Sequence, residues 1–277
     1  MDYRISTITA IAKLNSLIQL ENLYKIIEVD NEMKLFYTTH QKNIINYVTF
    51  IEYGKTKDIS NSKGINPKNN KKNTYKKKIK HSKRFDNQLT LILNLNDNYI
   101  NMKLFKNGRI QMTGLKNIEN GPIAINIIID IIKNLNLNNN ITDKNDLEFS
   151  EYKICLINSD FKFYSKLRRN KLFEFLNNKT DLICSYEPCI YPGVKIQFFY
   201  NNKYDGICRC TDGFCSNKNK KSSCTKITIA IFESGCTIIT GAKSLEQINI
   251  TYKFIKNLLE NNIDNFKKID LDQLLLQ

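Results

Sequence analysis

The chain has 277 residues, 42% of them hydrophobic and 25% charged, which suits one large or two small folded cores and excludes a disordered tail. No run approaches the ~20 uninterrupted apolar residues of a membrane span, and the opening MDYRISTITA lacks the basic-then-apolar layout of a signal peptide, so a soluble, unsecreted protein is expected. Lysine and arginine number 42 against 27 acids, a net charge of +15 that favours a polyanionic partner such as nucleic acid over an acidic small molecule.

Along the chain, residues 31–83 read as an insert. Ile44 to Tyr53 predicts a short hairpin, and between Lys55 and Arg84 a polar run gathers about twelve basic residues and one acid. Its low hydrophobicity cannot repay the entropy of ordering, so at least Lys55 to Lys80 is expected to be mobile. Alternating apolar residues then lead into Asn107-Gly108, the pattern of strand, tight turn and strand, with glycine supplying positive φ. Ile123, Ile127, Ile128, Ile131 and Leu135 follow at helical spacing. A shorter, cysteine-bearing insert spans residues 201–226 between two strands. Beyond it the earlier features return: alternation into Ser234-Gly235, then a helical stripe of Ile248, Tyr252, Ile255, Leu258 and Leu259.

The return is a repeat. Lys103 to Lys116 aligns with Ala230 to Lys243, and Phe, Gly, Thr, Gly and Lys coincide at one constant offset of 127 residues. Each half reads strand, helix, several strands, long helix, with one apolar stripe per helix to cover one face of a sheet. The predicted fold is therefore α+β by internal duplication, with repeats at 1–140 and 148–277.

These residues resemble the TATA-box-binding protein family. In the second half the resemblance rests on Ser185-Tyr186-Glu187-Pro188, Tyr191-Pro192-Gly193, Ile231-Phe232-Glu233-Ser234-Gly235 and Thr240-Gly241-Ala242-Lys243. In the first it rests on Ile5-Ser6-Thr7-Ile8, Lys83-Arg84-Phe85 and the block from Phe105 to Lys116. The resemblance implies a saddle: a curved antiparallel sheet whose concave face meets the DNA minor groove, with helices on the convex face for protein partners. It also implies two pairs of aromatic wedges, Phe85 with Phe105 and Tyr191 with Phe232. A ring driven between base pairs costs a few kcal/mol of unstacking, offset when the bent duplex touches more protein. Strand parity agrees with exposure: if Ile227, Ile229 and Ile231 face the core, Thr228, Ala230 and Phe232 share the opposite face.

By the same resemblance Thr113, Thr240 and Ile238 face the groove, Arg84, Arg109, Lys116 and Lys243 lie near phosphates, and Glu187 matches a contact with general transcription factor IIB. The sequence departs from the family in places. The asparagine near the start of each repeat falls at Tyr3 and near Cys155 or Leu156; Lys103 and Gln111 replace apolar groove residues; Gln197 replaces an arginine; and Cys189 stands at a second acidic position. A more polar groove face bears on strict TATA preference more than on minor-groove binding in general.

Cys208, Cys210, Cys215 and Cys224 fall in the second insert as C-x-C-x4-C-x8-C. A structural Zn²⁺ site, reduced loop thiols and disulfides are the three readings, and a loop without a core of its own is where metal binding can supply folding energy. Cys155, Cys184, Cys189 and Cys236 read as small buried or strand residues. No catalytic constellation stands out around His40 or His81, so no enzyme activity and no required cofactor are expected. The resemblance thus implies a transcription initiation factor that binds and bends A/T-rich promoter DNA and recruits a factor-IIB-like protein or RNA polymerase subunits. A membrane or small-molecule partner is not expected. The alternative is an adaptor of the transcription apparatus that keeps the fold without bending DNA. The Asn/Ile/Lys bias suits an A/T-rich genome, so the expected location is the nucleus, or a viral replication compartment in the host cytoplasm.

Overall fold

Period-two alternation becomes strands with one sealed face and one open face. The structure, a computed structural model, describes residues 2–29, 37–38, 45–54, 62–67, 87–136, 140–210, 215 and 224–268. The elements run β1 (Arg4–Leu14), α1 (Leu20–Ile26), β2 (Tyr37–Thr38), β3 (Ile45–Tyr53), β4 (Ser62–Gly64), β5 (Gln88–Leu95), β6 (Asn98–Phe105), β7 (Arg109–Leu115) and α2 (Asn120–Asn136). They continue as β8 (Phe149–Lys162), α3 (Arg169–Lys179), β9 (Ile183–Ser185), β10 (Val194–Tyr200), β11 (Thr225–Ile231), β12 (Cys236–Ala242) and α4 (Leu245–Asn261). The fold is α+β, and the chain packs as two units: Thr7–Cys155, and Met1–Ser6 together with Leu156–Gln277.

In the first unit the strand order is β2-β3-β5-β6-β7-β1, with β4 added to β3. The ladder pairs are antiparallel. Helix α2 packs on β5 and β7. It buries Ala124, Ile125, Ile127, Ile128, Ile129, Ile131 and Ile132, a broader face than the five-residue stripe read from spacing. Each such Ile withdrawn from water contributes roughly 1.5–3 kcal/mol before conformational costs. In the second unit the order is β8-β12-β11-β10-β9, with α4 on β12 and β10 and α3 on β9 and β10. Helix α4 is capped by side chains at its start: Ser244 Oγ at the N-cap accepts from the Gln247 amide (3.2 Å), and Gln247 Oε1 accepts from the amide of Lys243 just before the cap (2.7 Å).

Two expectations for the first insert are corrected. Residues 45–53 form one continuous strand, not a hairpin, because Val48 and Ile51 pair with Leu93 and Leu91 and are fully buried against them. Within the run expected to be mobile, residues 62–64 are a strand on β3, and the Ile65 amide donates to the Thr49 carbonyl at 2.8 Å. Hydrogen bonding offsets the missing apolar area here: Lys63 Nζ donates to the Tyr24 and Lys25 carbonyls at 2.7 and 3.0 Å, neutralising the carbonyl end of α1. The remainder of that run lies outside the described residues.

The duplication extends to individual hydrogen bonds. Gly108 has φ +79° and Gly235 φ +81°. The Gly108 amide donates to the Phe105 carbonyl (2.9 Å) and the Gly235 amide to the Phe232 carbonyl (3.0 Å). The two glycine carbonyls accept from Leu14 and Phe163 respectively, each at 2.9 Å. A Cβ on Gly108 would sit 2.5 Å from the Ser16 oxygen, and one on Gly235 2.6 Å from the Phe163 oxygen. Each hairpin turn is thus locked against the strand opening its repeat.

Candidate nucleic-acid interface

In the first unit, β7 seals Ile110 and Met112 inside and leaves Arg109, Gln111 and Thr113 on the open face. The register aligns Asn101, Thr113 and Thr9 across β6, β7 and β1, and Lys103, Gln111 and Ile11 in the next row. Phe105 closes β6 opposite Gln88, half-buried, directly before the Gly108 turn. It walls an open hollow of about 430 Å³ shared with Ile11, Lys13, Arg109, Gln111 and Glu151. Its lining joins one aromatic ring to two cations, Lys13 and Arg109, and one carboxylate, Glu151. Lys116 is exposed just beyond β7, while Phe85 and Arg84 lie outside the described residues.

In the second unit, Tyr191 and Phe232 stand together, ring centroids 5.7 Å apart and planes inclined by 57°. Neither is core: both are half-buried, whereas Ile227, Ile229 and Ile231 are fully buried. The turn that carries Tyr191 is held by the Glu187 carbonyl, which accepts from the Ile190 and Tyr191 amides at 3.0 and 2.8 Å. Gly193 is required because a Cβ there would meet the Tyr191 ring at 2.9 Å and the Phe232 ring at 3.2 Å. Lys195 Nζ lies 4.1 Å from the Tyr191 ring centroid, a cation on the rim of the ring pair. Ile238 and Thr240 lie on the same open face of β12, paired with Ala230 and Thr228, and Lys243 is exposed at its end. Ala230 is only 6% exposed although it shares the open face, being a small side chain between Lys195 and Ile238 in the ladder.

Several residues that matter to this surface were not assigned a role from the sequence. Glu233, next to Phe232, is paired with Arg169 (3.1 Å) and Lys268; the Lys268 hydrogen bond and charge, then those of Arg169, hold its carboxyl below the ordinary glutamate value. Arg169 also donates to the Pro192 carbonyl at 2.6 Å, so one guanidinium ties the Tyr191 turn to the Phe232 turn. Asp160 lies on the open face of β8 opposite Ile238, with Arg4 at 2.9 Å and Ser6 as partners. The alternation Asn158, Asp160, Lys162 along β8 would have revealed its side.

The residues at the family's asparagine positions do not all face outward. Tyr3 packs against Tyr252 of α4 with ring centroids 5.1 Å apart and planes inclined by 56°, and burial raises its phenol above the ordinary tyrosine value. Cys155 and Leu156 are half-buried in β8. Glu187 and Cys189 are exposed in the turn before Tyr191, so Cys189 is neither a core nor a strand residue: the turn lifts it clear of the sheet. His40 and His81 lie outside the described residues.

Comparison with known proteins adds context. The family model described as transcription factor TFIID (or TATA-binding protein, TBP) matches residues 166–262. A "TATA-box-binding protein-like" protein of Acanthamoeba polyphaga mimivirus is 30% identical over 290 aligned positions, covering 99% of this chain and 69% of that one. "TATA-box-binding protein 2" of Entamoeba histolytica is 26% identical over 161 positions, covering 57% of this chain and 58% of its own length. Among solved structures, Methanococcus jannaschii TBP superposes with a TM-score of 0.51 at 20% identity, covering 94% of this chain and 99% of that one, a likeness of fold.

Proposed function

The chain belongs to the TATA-box-binding protein family, and from that membership we propose that it binds A/T-rich promoter DNA through the minor groove, bends it, and brings transcription machinery to the bent site. The observation that carries this reading is the Tyr191–Phe232 ring pair, held half-exposed at a strand end by Gly193, Arg169 and the Glu187 turn. Rings that enter a base step must be set before the DNA arrives, because order created during binding subtracts from the affinity gained. Phe105 takes the same role at the equivalent place in the first repeat, with Phe85 as its partner. Thr113, Thr240 and Ile238 then lie along the groove floor, where only A·T and G·C are distinguished, and Arg109, Lys116, Lys243 and Arg84 meet phosphates. Exposed Glu187 is the contact for a factor-IIB-like protein or a polymerase subunit, and the protein acts by binding rather than catalysis. Its place of action is the nucleus, or a cytoplasmic viral replication compartment.

Energy transfer across end-labelled A/T-rich duplexes tests the reading. Wild type shortens the end-to-end distance; Phe232→Ala and Phe105→Ala each weaken binding by about 1–3 kcal/mol, as lost base–ring stacking does, and reduce the bend. Binding with no bend sinks the wedge and leaves the adaptor role; bending that survives both substitutions together sinks the wedge alone.

A further inference from the structure

The loop between β10 and β11 brings four sulfurs to one point. Sγ atoms of Cys208, Cys210, Cys215 and Cys224 all lie within 4.8 Å of one another. Cys215 is 3.0 Å from Cys208 and 3.1 Å from Cys210, and Cys210 is 3.9 Å from Cys224. We infer that these four thiolates bind a single structural Zn²⁺.

The distances suit one ion. A disulfide requires sulfurs about 2.05 Å apart, and none of the eight cysteines is in one. Four ligands around one Zn²⁺ at about 2.3 Å stand roughly 3.8 Å from each other at tetrahedral angles, inside the observed spread. An iron–sulfur core of several atoms spreads its cysteine ligands more widely than this quartet. An all-thiolate, tetrahedral donor set is soft and closed, which selects Zn²⁺ over oxygen-seeking cations and marks a structural rather than a catalytic centre.

The surrounding loop is built to deliver the ligands. Asn201, 9% exposed at the end of β10, donates from Nδ2 to the Ile207 carbonyl at 2.8 Å and lies 3.5 Å from Cys224 Sγ. An amide N–H beside a metal-bound thiolate stabilises its charge and fixes its direction. Its Oδ1 accepts from the Lys203 amide at 3.0 Å, Asp205 Oδ1 accepts from the Ile207 amide at 3.0 Å, and Asp205 pairs with Arg209 between the first two ligands. Gly206, at φ +79°, lets the backbone pass Phe198, to which a Cβ would approach within 2.8 Å. These contacts turn Cys208 and Cys210 back toward Cys224, which directly precedes β11. The ion closes a loop whose own apolar content is too small to hold it, and binding energy becomes folding energy.

The test uses the full chain, purified under reducing conditions without chelator. One zinc per chain is expected, and replacement by Co²⁺ gives intense sulfur-to-cobalt charge-transfer absorption with the visible bands of a tetrahedral site. Four of the eight thiols resist a thiol reagent until zinc is released. Cys210→Ser with Cys215→Ser abolishes stoichiometric zinc, whereas Cys155→Ser and Cys236→Ser retain it. Less than about a tenth of an equivalent after reconstitution with excess zinc overturns the site. So does a disulfide mass loss within the quartet under these conditions, or zinc retained when all four are serine. If the double variant does not fold, the wild-type cobalt spectrum and thiol protection still decide.

Discussion

Glu233 follows directly after Phe232, and two cations hold it there. Because Lys268 and Arg169 keep its folded-state carboxyl below the ordinary glutamate value, the interaction is fully present above that value and is lost as pH falls through the depressed one. The groups remain wet, so the effect is modest and screened by salt. Urea midpoints for wild type and Glu233→Gln should differ at neutral pH and converge as the solution is acidified; a gap that widens in acid contradicts the clamp. At this scale the sequence was uneven. Phe105 and Phe232 could be singled out because glycine turns adjoin them at strand ends, and parity places Phe232 on the open face; Tyr191 was reached through the family resemblance alone. Their supports, Arg169, Lys195 and Lys268, are ordinary cations in a lysine-rich chain, and their partners are distant in sequence.

The two hairpins are the elements on which both ring positions depend. Gly235 holds φ +81° with carbonyl oxygens of Phe163 and Ser165 against the space a Cβ would fill, at 2.6 and 2.7 Å. Gly235→Ala should therefore cost about 1–3 kcal/mol from backbone strain alone, with crowding added, and Gly108→Ala a similar amount in the first unit. Chemical denaturation followed by circular dichroism measures this; a cost under about 0.5 kcal/mol would mean the turn relaxes freely. These hairpins were legible because positive φ leaves glycine as its mark. Strands β3 and β4 were not. A mixed run such as Ile44 to Tyr53 fits a hairpin or half of a ladder equally well, and only its pairing with β5 selects the ladder. Strand β4 forms in a polar stretch because Lys63 finds the carbonyl end of α1, a contact no local pattern announces.

Across the whole molecule, charge and fold play separate parts. Residues 68–83, which lie outside the described residues, carry eight lysines. Each phosphate neutralised adds about 0.9 to the slope of log affinity against log salt. Deleting 68–83 should flatten that slope while leaving the bend unchanged; an unaltered slope would show that the run does not meet the duplex. The duplicated plan and fold class were legible in the chain because the repeat keeps its glycines and aromatics in step. The packing boundary was not, since it cuts through β1 and β8 rather than falling between repeats.

That boundary constrains how such a chain can change. Asp2 bonds Lys256 and Tyr252, and Tyr3 lies on Tyr252, so the opening residues complete the later half. Tyr152 in turn donates to the Ile118 carbonyl and rests on Gly121, completing the earlier half. A cut at the midpoint of the chain would therefore part residues 156–277 from Asp2 and Tyr3, and Ile118 and Gly121 from Tyr152, leaving each product short of a piece that seals it.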